Sequence, residues 1–336
     1  MKILVTGGSG FIGAYLVKDL LKNGHVVTIY DRASSGAFPA LVRLGDVQNR
    51  EQLCRAVQGQ EAVFHLAAEH RDDVTPQSLY GEVNVGGARN LVEAAKQADC
   101  RRLIFTSSVA VYSLNAHCPS EAFPPAPFNA YGHSKLAAEE IFRAWAAEDP
   151  ELSITVVRPC VVFGEGNRGN VYNLLKQVHG GTFLMVGDGN NRKSLAYVRN
   201  LVPFLISALN DGPGFRLFNY ADKPDLSTNE IIRIARENLG RSGCVSRLRL
   251  PYSVGLAAGY CFDMVASVIR RKLPVSSIRV RKFCAETSVD ASKIETMGFQ
   301  RQFTLEEGLR RMIAAEFKET ERIHKIEPGL ETAKTH

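Results

Sequence analysis

No C-x-x-C pair occurs among the seven cysteines of this 336-residue sequence, and none of them shares ligand spacing with a histidine. An odd, scattered set argues against a disulfide frame and a structural zinc site and fits a reducing compartment, so a cytoplasmic protein without a metal is expected. A clean apolar run of about 20 residues is missing too. The nearest approach, Leu248 to Ile269 followed by Arg270, Arg271 and Lys272, is interrupted by Pro251 and Asp263. It is expected to be a buried helix, with an interfacial helix at 252–269 as the weaker alternative and no membrane span. Met1 is followed at once by a strand-like run instead of a basic stretch and an apolar segment, so no signal peptide is expected. Tryptophan occurs once and the net charge of +6 is spread along the chain. Without a dense basic block or basic–aromatic alternation, a nucleic-acid partner is not expected; an anionic small molecule suits the charge as well. Repeats and low-complexity segments are absent.

What is present is an alternation. KILVTG, HVVTIYD, AVFHLAA, RRLIFTSS and ITVVRP are short, nearly continuous apolar runs separated by amphipathic stretches, with helices expected near Phe11 to Asn23, Gln77 to Ala98 and Asn129 to Glu148. Strands buried on both faces and alternating with helices predict an α/β fold, a doubly wound parallel sheet of the Rossmann type. After Pro159 the rhythm gives way to a Gly-rich loop and scattered helices, two of which start with a hydroxyl residue three before a glutamate, Ser227 with Glu230 and Thr304 with Glu307. The expected organisation is a dinucleotide-binding domain over 1–160 and a smaller substrate-binding lobe over 161–322. That lobe is expected to be discontinuous, with part returning to the sheet, and a polar tail follows over 323–336.

Two constellations carry chemistry. In VTGGSGFIG, Gly7, Gly10 and Gly13 follow a strand and open a helix. That spacing allows a tight turn, close approach of backbone N–H groups to a pyrophosphate, and close packing of helix on strand. Asp31, ending the next strand, places a carboxylate for the adenosine ribose hydroxyls. It favours NAD over NADP, although Arg32 beside it leaves NADP possible. Asp46, after the following strand-like run, is positioned for the adenine amino group. Downstream, Tyr131 and Lys135 lie four apart in a helical pattern and so share one face. A tyrosine with an ordinary pKa near 10 becomes a useful base only where a neighbouring cation stabilises its phenolate.

Together, TGGSGFIG, HLAA at His65 to Ala68, NVGGARNL at Asn84 to Leu91, TSSVAVY at Thr106 to Tyr112, YGHSK and RPCVVFG resemble the extended short-chain dehydrogenase/reductase superfamily, in its nucleotide-sugar epimerase/dehydratase group. The resemblance implies a catalytic set of Ser108, Tyr131 and Lys135. It implies a cofactor cleft lined by Phe11, Ile12, Val47, Leu66, Ala67, Ala68, Asn84, Ser107 and Pro159, with Lys135 also on the nicotinamide ribose. It places Arg192 and Lys193 where the family holds the substrate diphosphate, Ser108 and Val109 beside the sugar, and Arg168 and Asn170 on a loop over the nucleotide. Pairing of the helices 77–98 and 129–148 across a two-fold axis implies a homodimer.

In relatives that remove water, the two residues after the catalytic hydroxyl are Asp and Glu; here they are Val109 and Ala110, which move no proton. The expected function is therefore NAD-dependent C4 epimerisation of a nucleotide-linked hexose or N-acetylhexosamine through a 4-keto intermediate, for surface polysaccharide synthesis. A 4-keto-deoxysugar reductase and a 3β-hydroxysteroid dehydrogenase-like enzyme remain as alternatives. Departures from the pattern are Val161, where UDP-galactose epimerases carry asparagine, and the charged stretch Glu69 to Asp73, open between a sugar contact and a solvated turn. A second diphosphate clamp at Arg279, Arg281 and Lys282 lacks the usual R-x-G-D pattern.

Overall fold

The computed structural model describes residues 1–71, 74–239, 249–269 and 276–318, apart from the side chains of 266–268. Its strands in chain order are β1 (Lys2–Thr6), β2 (Val26–Asp31), β3 (Val42–Leu44), β4 (Ala62–His65), β5 (Arg102–Thr106), β6 (Ser153–Pro159) and β7 (Val161–Phe163), then β8 (Met185–Val186), β9 (Arg192–Tyr197), β10 (Gly214–Tyr220), β11 (Asp222–Ser227) and β12 (Arg249–Leu250). Seven of them form one parallel sheet in the order β3-β2-β1-β4-β5-β6-β10. The chain winds outward from β1 in both directions, so β1 and β4 mark the topological switch point, where the connections part and leave a crevice at the strands' carboxyl ends. The expected doubly wound fold is thus present.

Burial explains the strand composition. Every residue of β4 and β6 is buried, which is why those runs read as continuous apolar stretches instead of alternating ones. Along β1 the two faces separate with period two: Ile3 and Val5 enter one core, Leu4 the other. The second core is closed by the helices Arg50–Val57, Gly87–Gln97 and Ala130–Glu148 through Leu53, Leu91 and Phe142. The first is closed by the helices Phe11–Lys22 and Val198–Ser207, and it continues without a break into the C-terminal lobe through Ile231 and Leu309. Although β10 comes after the lobe has begun, it returns to the sheet edge beside β6. The lobe adds a three-stranded sheet, β11-β9-β7, and the pair β12-β8. Both capping boxes form, Ser227 with Glu230 and Thr304 with Glu307.

The helix Tyr252–Ile269 departs from expectation. It forms over the apolar stretch, but most of its residues up to Val265 are exposed, not buried. Among the described residues its closest contacts run along one edge: Gly255 against Val186, and Gly259 against the backbone of Ser277. Two glycines one turn apart bring neighbours close along one line, while most of the other residues up to Val265 stay exposed. No helix among the described residues is long and apolar enough to cross a membrane. The expected tail at 323–336 lies outside the described residues.

Candidate active site

The carboxyl ends of β1, β4 and β5 bring the sequence candidates together. Gly7 leaves β1 at φ +73°, and a Cβ there would stand 2.6 Å from Ala67 N. A side chain would therefore collide with the loop after β4. Gly13 is pressed against Gly7 and Gly8, and a Cβ on it would stand 2.6 Å from the Gly7 carbonyl oxygen, so the helix Phe11–Lys22 starts directly over the strand end. Gly10 caps that helix without a side-chain hydrogen bond, leaving the backbone N–H groups of the first turn for an anion. Asp31 accepts hydrogen bonds from Ser9 N at 3.0 Å and Ala33 N at 3.1 Å, which fix its half-buried carboxylate at the rim, with Arg32 exposed beside it. Asp46 is held in its turn by the Gln48 N–H at 2.9 Å, and Val47 is buried under the helix Gly87–Gln97. Leu66, Ala67 and Ala68 are partly exposed after β4, and Pro159 is buried at the end of β6. These features fit a dinucleotide: small residues where its pyrophosphate must approach the backbone, and a carboxylate where its ribose would lie.

Ser108 ends the run after β5. Its hydroxyl oxygen accepts from Ala110 N at 3.1 Å, capping the 3-10 turn Val109–Val111. That bond uses the oxygen as acceptor and leaves the hydroxyl proton for donation. The turn lies against the start of the helix Ala130–Glu148, where a Cβ on Gly132 would stand 2.2 Å from the Ala110 carbonyl oxygen. Gly132 thus lets the Ser108 turn and the Tyr131 turn touch. Lys135 is buried at 3% exposure, donates to Thr106 O at 2.9 Å, and sits 4.8 Å from the Phe105 ring centroid and 6.0 Å from that of Tyr131. Burial pushes its amine down to about 7, opposed by the Glu139 carboxylate. His65 is 2.7 Å from the Thr6 hydroxyl oxygen; burial first, and the Lys135 charge second, push it down to about 3, so it remains neutral.

Asn84 sits in a π-helical widening, Gly81–Gly86, that precedes Gly87–Gln97. Its side-chain oxygen accepts from Glu69 N at 2.8 Å, and its amide donates to Glu69 O at 3.0 Å and Ser134 Oγ at 2.8 Å. Ser134 in turn donates to the Tyr131 carbonyl at 2.8 Å. One buried amide therefore ties the loop after β4 to the helix that carries Tyr131. The charged stretch after that loop is not a solvated turn at its start: Glu69 is buried and chelated by Arg71 at 2.9 and 2.7 Å, and the Arg71 hydrogen bonds hold its carboxyl down at about 2. Asp72 and Asp73 lie outside the described residues.

The sequence reading overlooked Glu139 and Arg158. They form a buried pair with Nη2–Oε2 at 2.6 Å. Ser107 Oγ donates to the same carboxylate, and Arg158 Nη1 donates to Tyr112 Oη at 2.7 Å. Glu139 follows Tyr131 and Lys135 at the next four-residue step, a spacing that was visible in the sequence.

The substrate-side candidates lie in the C-terminal lobe. Arg168 pairs with Glu316 and stacks over Tyr172 at 4.3 Å, and Asn170 begins the helix Asn170–His179. Arg192 donates to Asp225 O at 3.1 Å. Lys193 donates to Lys282 O at 3.0 Å and Ala285 O at 2.6 Å, and burial pushes it down to about 8. Its amine thus closes the end of the helix Ser277–Cys284. No group of three or more metal-ligating side chains occurs among the described residues.

Residues 3–221 match the NAD dependent epimerase/dehydratase family. An N-acetyl-alpha-D-glucosaminyl-diphospho-ditrans,octacis-undecaprenol 4-epimerase of Escherichia coli O157:H7 is 46% identical over 94% of this chain and 95% of the relative. A UDP-glucose 4-epimerase of Vibrio cholerae is 30% identical over 93% of this chain and 94% of the relative. Among solved structures, MoeE5 in complex with UDP-glucuronic acid and NAD superposes with a TM-score of 0.75 at 27% identity, covering 96% of this chain and all of that one. The fold, the glycine cradle and these matches agree: the chain belongs to the NAD-dependent epimerase/dehydratase family.

Proposed function

We propose that this enzyme inverts C4 of an N-acetylhexosamine carried on a diphosphate, through a 4-keto intermediate, with Ser108, Tyr131 and Lys135 as its reacting set. The observation that carries the reading is the contact of the Ser108 turn with the Tyr131 turn, over a buried Lys135 and with Val109 and Ala110 where a dehydratase needs acids. The glycine cradle would hold NAD, which when bound would supply a hydride acceptor and then a hydride donor. Tyr131 takes the proton of the C4 hydroxyl as that carbon is oxidised, and returns it to the same oxygen after the keto sugar has turned its other face. Ser108 donates its hydroxyl proton to that oxygen, fixing its position through both halves of the reaction. Lys135 favours the Tyr131 phenolate by its charge.

The two 4-epimerase relatives differ in the carrier of the sugar diphosphate: a polyprenol in the 46% identical protein, a nucleotide in the other. Both carriers are therefore assayed. Dinucleotide released from the denatured protein is identified, and the enzyme is incubated with UDP-N-acetylglucosamine and with polyprenyl-diphospho-N-acetylglucosamine while C4 is followed by NMR. Copurified NAD, a C4-inverted sugar on either carrier and no net NADH are expected. Loss of at least about 10³-fold in rate is expected for Tyr131→Phe with NAD retained. Product formation only with added reduced cofactor would replace the epimerase by a reductase. A homodimer in the cytoplasm, paired through the helices Gly87–Gln97 and Ala130–Glu148, belongs to the same proposal; a monomeric mass by light scattering at micromolar concentration would remove the dimer from it.

A further inference from the structure

Sixteen large hydrophobic side chains are exposed among the described residues, and seven belong to the one helix Tyr252–Ile269, among them Tyr260, Phe262, Met264 and Val265. Isolated exposed hydrophobics are ordinary, but a contiguous set marks an interaction surface. The packed edge of this helix is Gly255, Gly259 and Asp263, at four-residue steps; Asp263 Oδ2 accepts from Ser277 N at 3.1 Å. The only charged residue of the helix is therefore turned toward its neighbour, and the exposed residues carry no charge.

The neighbouring helix Ser277–Cys284 contains three basic residues and no acidic one. Ile278, Arg279 and Arg281 are exposed, and Arg281 Nη2 donates to the Tyr260 hydroxyl of the apolar helix. An apolar surface bordered by guanidinium groups matches a bilayer interface, where acyl chains accept the apolar side chains and anionic headgroups accept the cations. The same short helix touches the segment leading to Tyr131: Lys282 Nζ lies 5.4 Å from the Phe128 ring centroid, three residues before Tyr131.

We propose that the helices Tyr252–Ile269 and Ser277–Cys284 form a docking surface for an anionic lipid bilayer. The first helix lies in the boundary between headgroups and acyl chains without crossing it, and the Tyr131 end of the cleft is brought to the lipid surface. The occupant is the bilayer itself, so docking is read without turnover and stands or falls separately from the proposed epimerisation.

The experiment is cosedimentation of the full-length, NAD-loaded protein with vesicles of phosphatidylglycerol and phosphatidylethanolamine, and with phosphatidylcholine vesicles for comparison. The wild type is expected to partition onto the anionic vesicles, more weakly at high salt and onto phosphatidylcholine. Phe262→Glu with Met264→Glu, both at exposed positions, is expected to reduce the partition coefficient at least tenfold while bound NAD and the melting temperature stay unchanged. Arg279→Gln with Arg281→Gln is expected to remove most of the salt-sensitive part. Wild-type protein that stays in the supernatant would overturn the proposal, as would a Phe262/Met264 double variant that partitions like wild type. So would a variant that only dissociates a dimer in sedimentation velocity, because the face would then be a contact between copies.

Discussion

The catalytic role proposed for Lys135 carries a cost at a single residue. Its amine is buried, and its acceptor is a backbone carbonyl, Thr106 O, not a carboxylate. With the folded-state pKa near 7 and an unfolded value of about 10.4, the unfolded chain binds more protons between those limits. Stability therefore rises with pH across that window, and the penalty of the buried charge is largest below about pH 7. Lys135→Met in the NAD-free protein is expected to melt about 3 °C or more above wild type at pH 6, with the gap closing toward pH 10. Its turnover should fall by at least about 10²-fold. A variant that melts lower at pH 6 would show that the amine stabilises the fold. Tyr131 and Lys135 were legible in the sequence because a four-residue step on a helix is a geometric statement. Glu139 continues that step, but its function depends on Arg158 from β6, a partner that only the folded sheet supplies. Left alone at that depth, either charge would cost about 3–5 kcal/mol.

Between elements, contacts are set as much by missing side chains as by present ones. The Ser108 turn and the helix Ala130–Glu148 meet at Gly132, where there is no room for a methyl group against a backbone carbonyl. Gly132→Ala is expected to push the two turns apart and reduce turnover by about 10²-fold or more, since a displacement near 1 Å between reacting groups costs about that much. NAD content should remain near wild type, because the glycine cradle lies on other elements. Kinetics beside released-dinucleotide analysis checks this, and unchanged turnover would place the critical contact elsewhere. The same physics explains where the sequence misled. An apolar run interrupted by Pro251 and Asp263 resembles a buried helix, and burial is set by neighbours that composition does not name. Gly255 and Gly259 were visible in the sequence. That they define a single packed edge became apparent only once Val186 and Ser277 were placed against them. Strands β1, β4, β5 and β6 were readable for the opposite reason: with nearly every position buried, few polar residues interrupt the run.

Across the whole molecule, the sheet half and the C-terminal lobe share an interior. Ile3 and Val5 of β1, Leu16 and Leu20 of the helix Phe11–Lys22, and Ile231, Leu309 and Met312 of the C-terminal lobe belong to one apolar cluster. The sheet is completed by β10, whose residues follow the first part of that lobe in the chain. Neither half closes that shared core alone, so the described fold should unfold as one cooperative unit. NAD binds on the cofactor side, and its binding free energy stabilises everything coupled to that side. At 100 times its dissociation constant it adds about 2.7 kcal/mol. Calorimetry of the NAD-free and NAD-loaded protein is expected to show one transition that moves upward as a whole. Hydrogen exchange should slow at Ile231–Ala235 and Leu309–Ile313 by about the same factor as at β1. Two transitions, of which NAD moves only the first, would show that the C-terminal lobe is held to the sheet by its surface alone; the continuity of the apolar cluster across the helices Phe11–Lys22 and Val198–Ser207 argues for one.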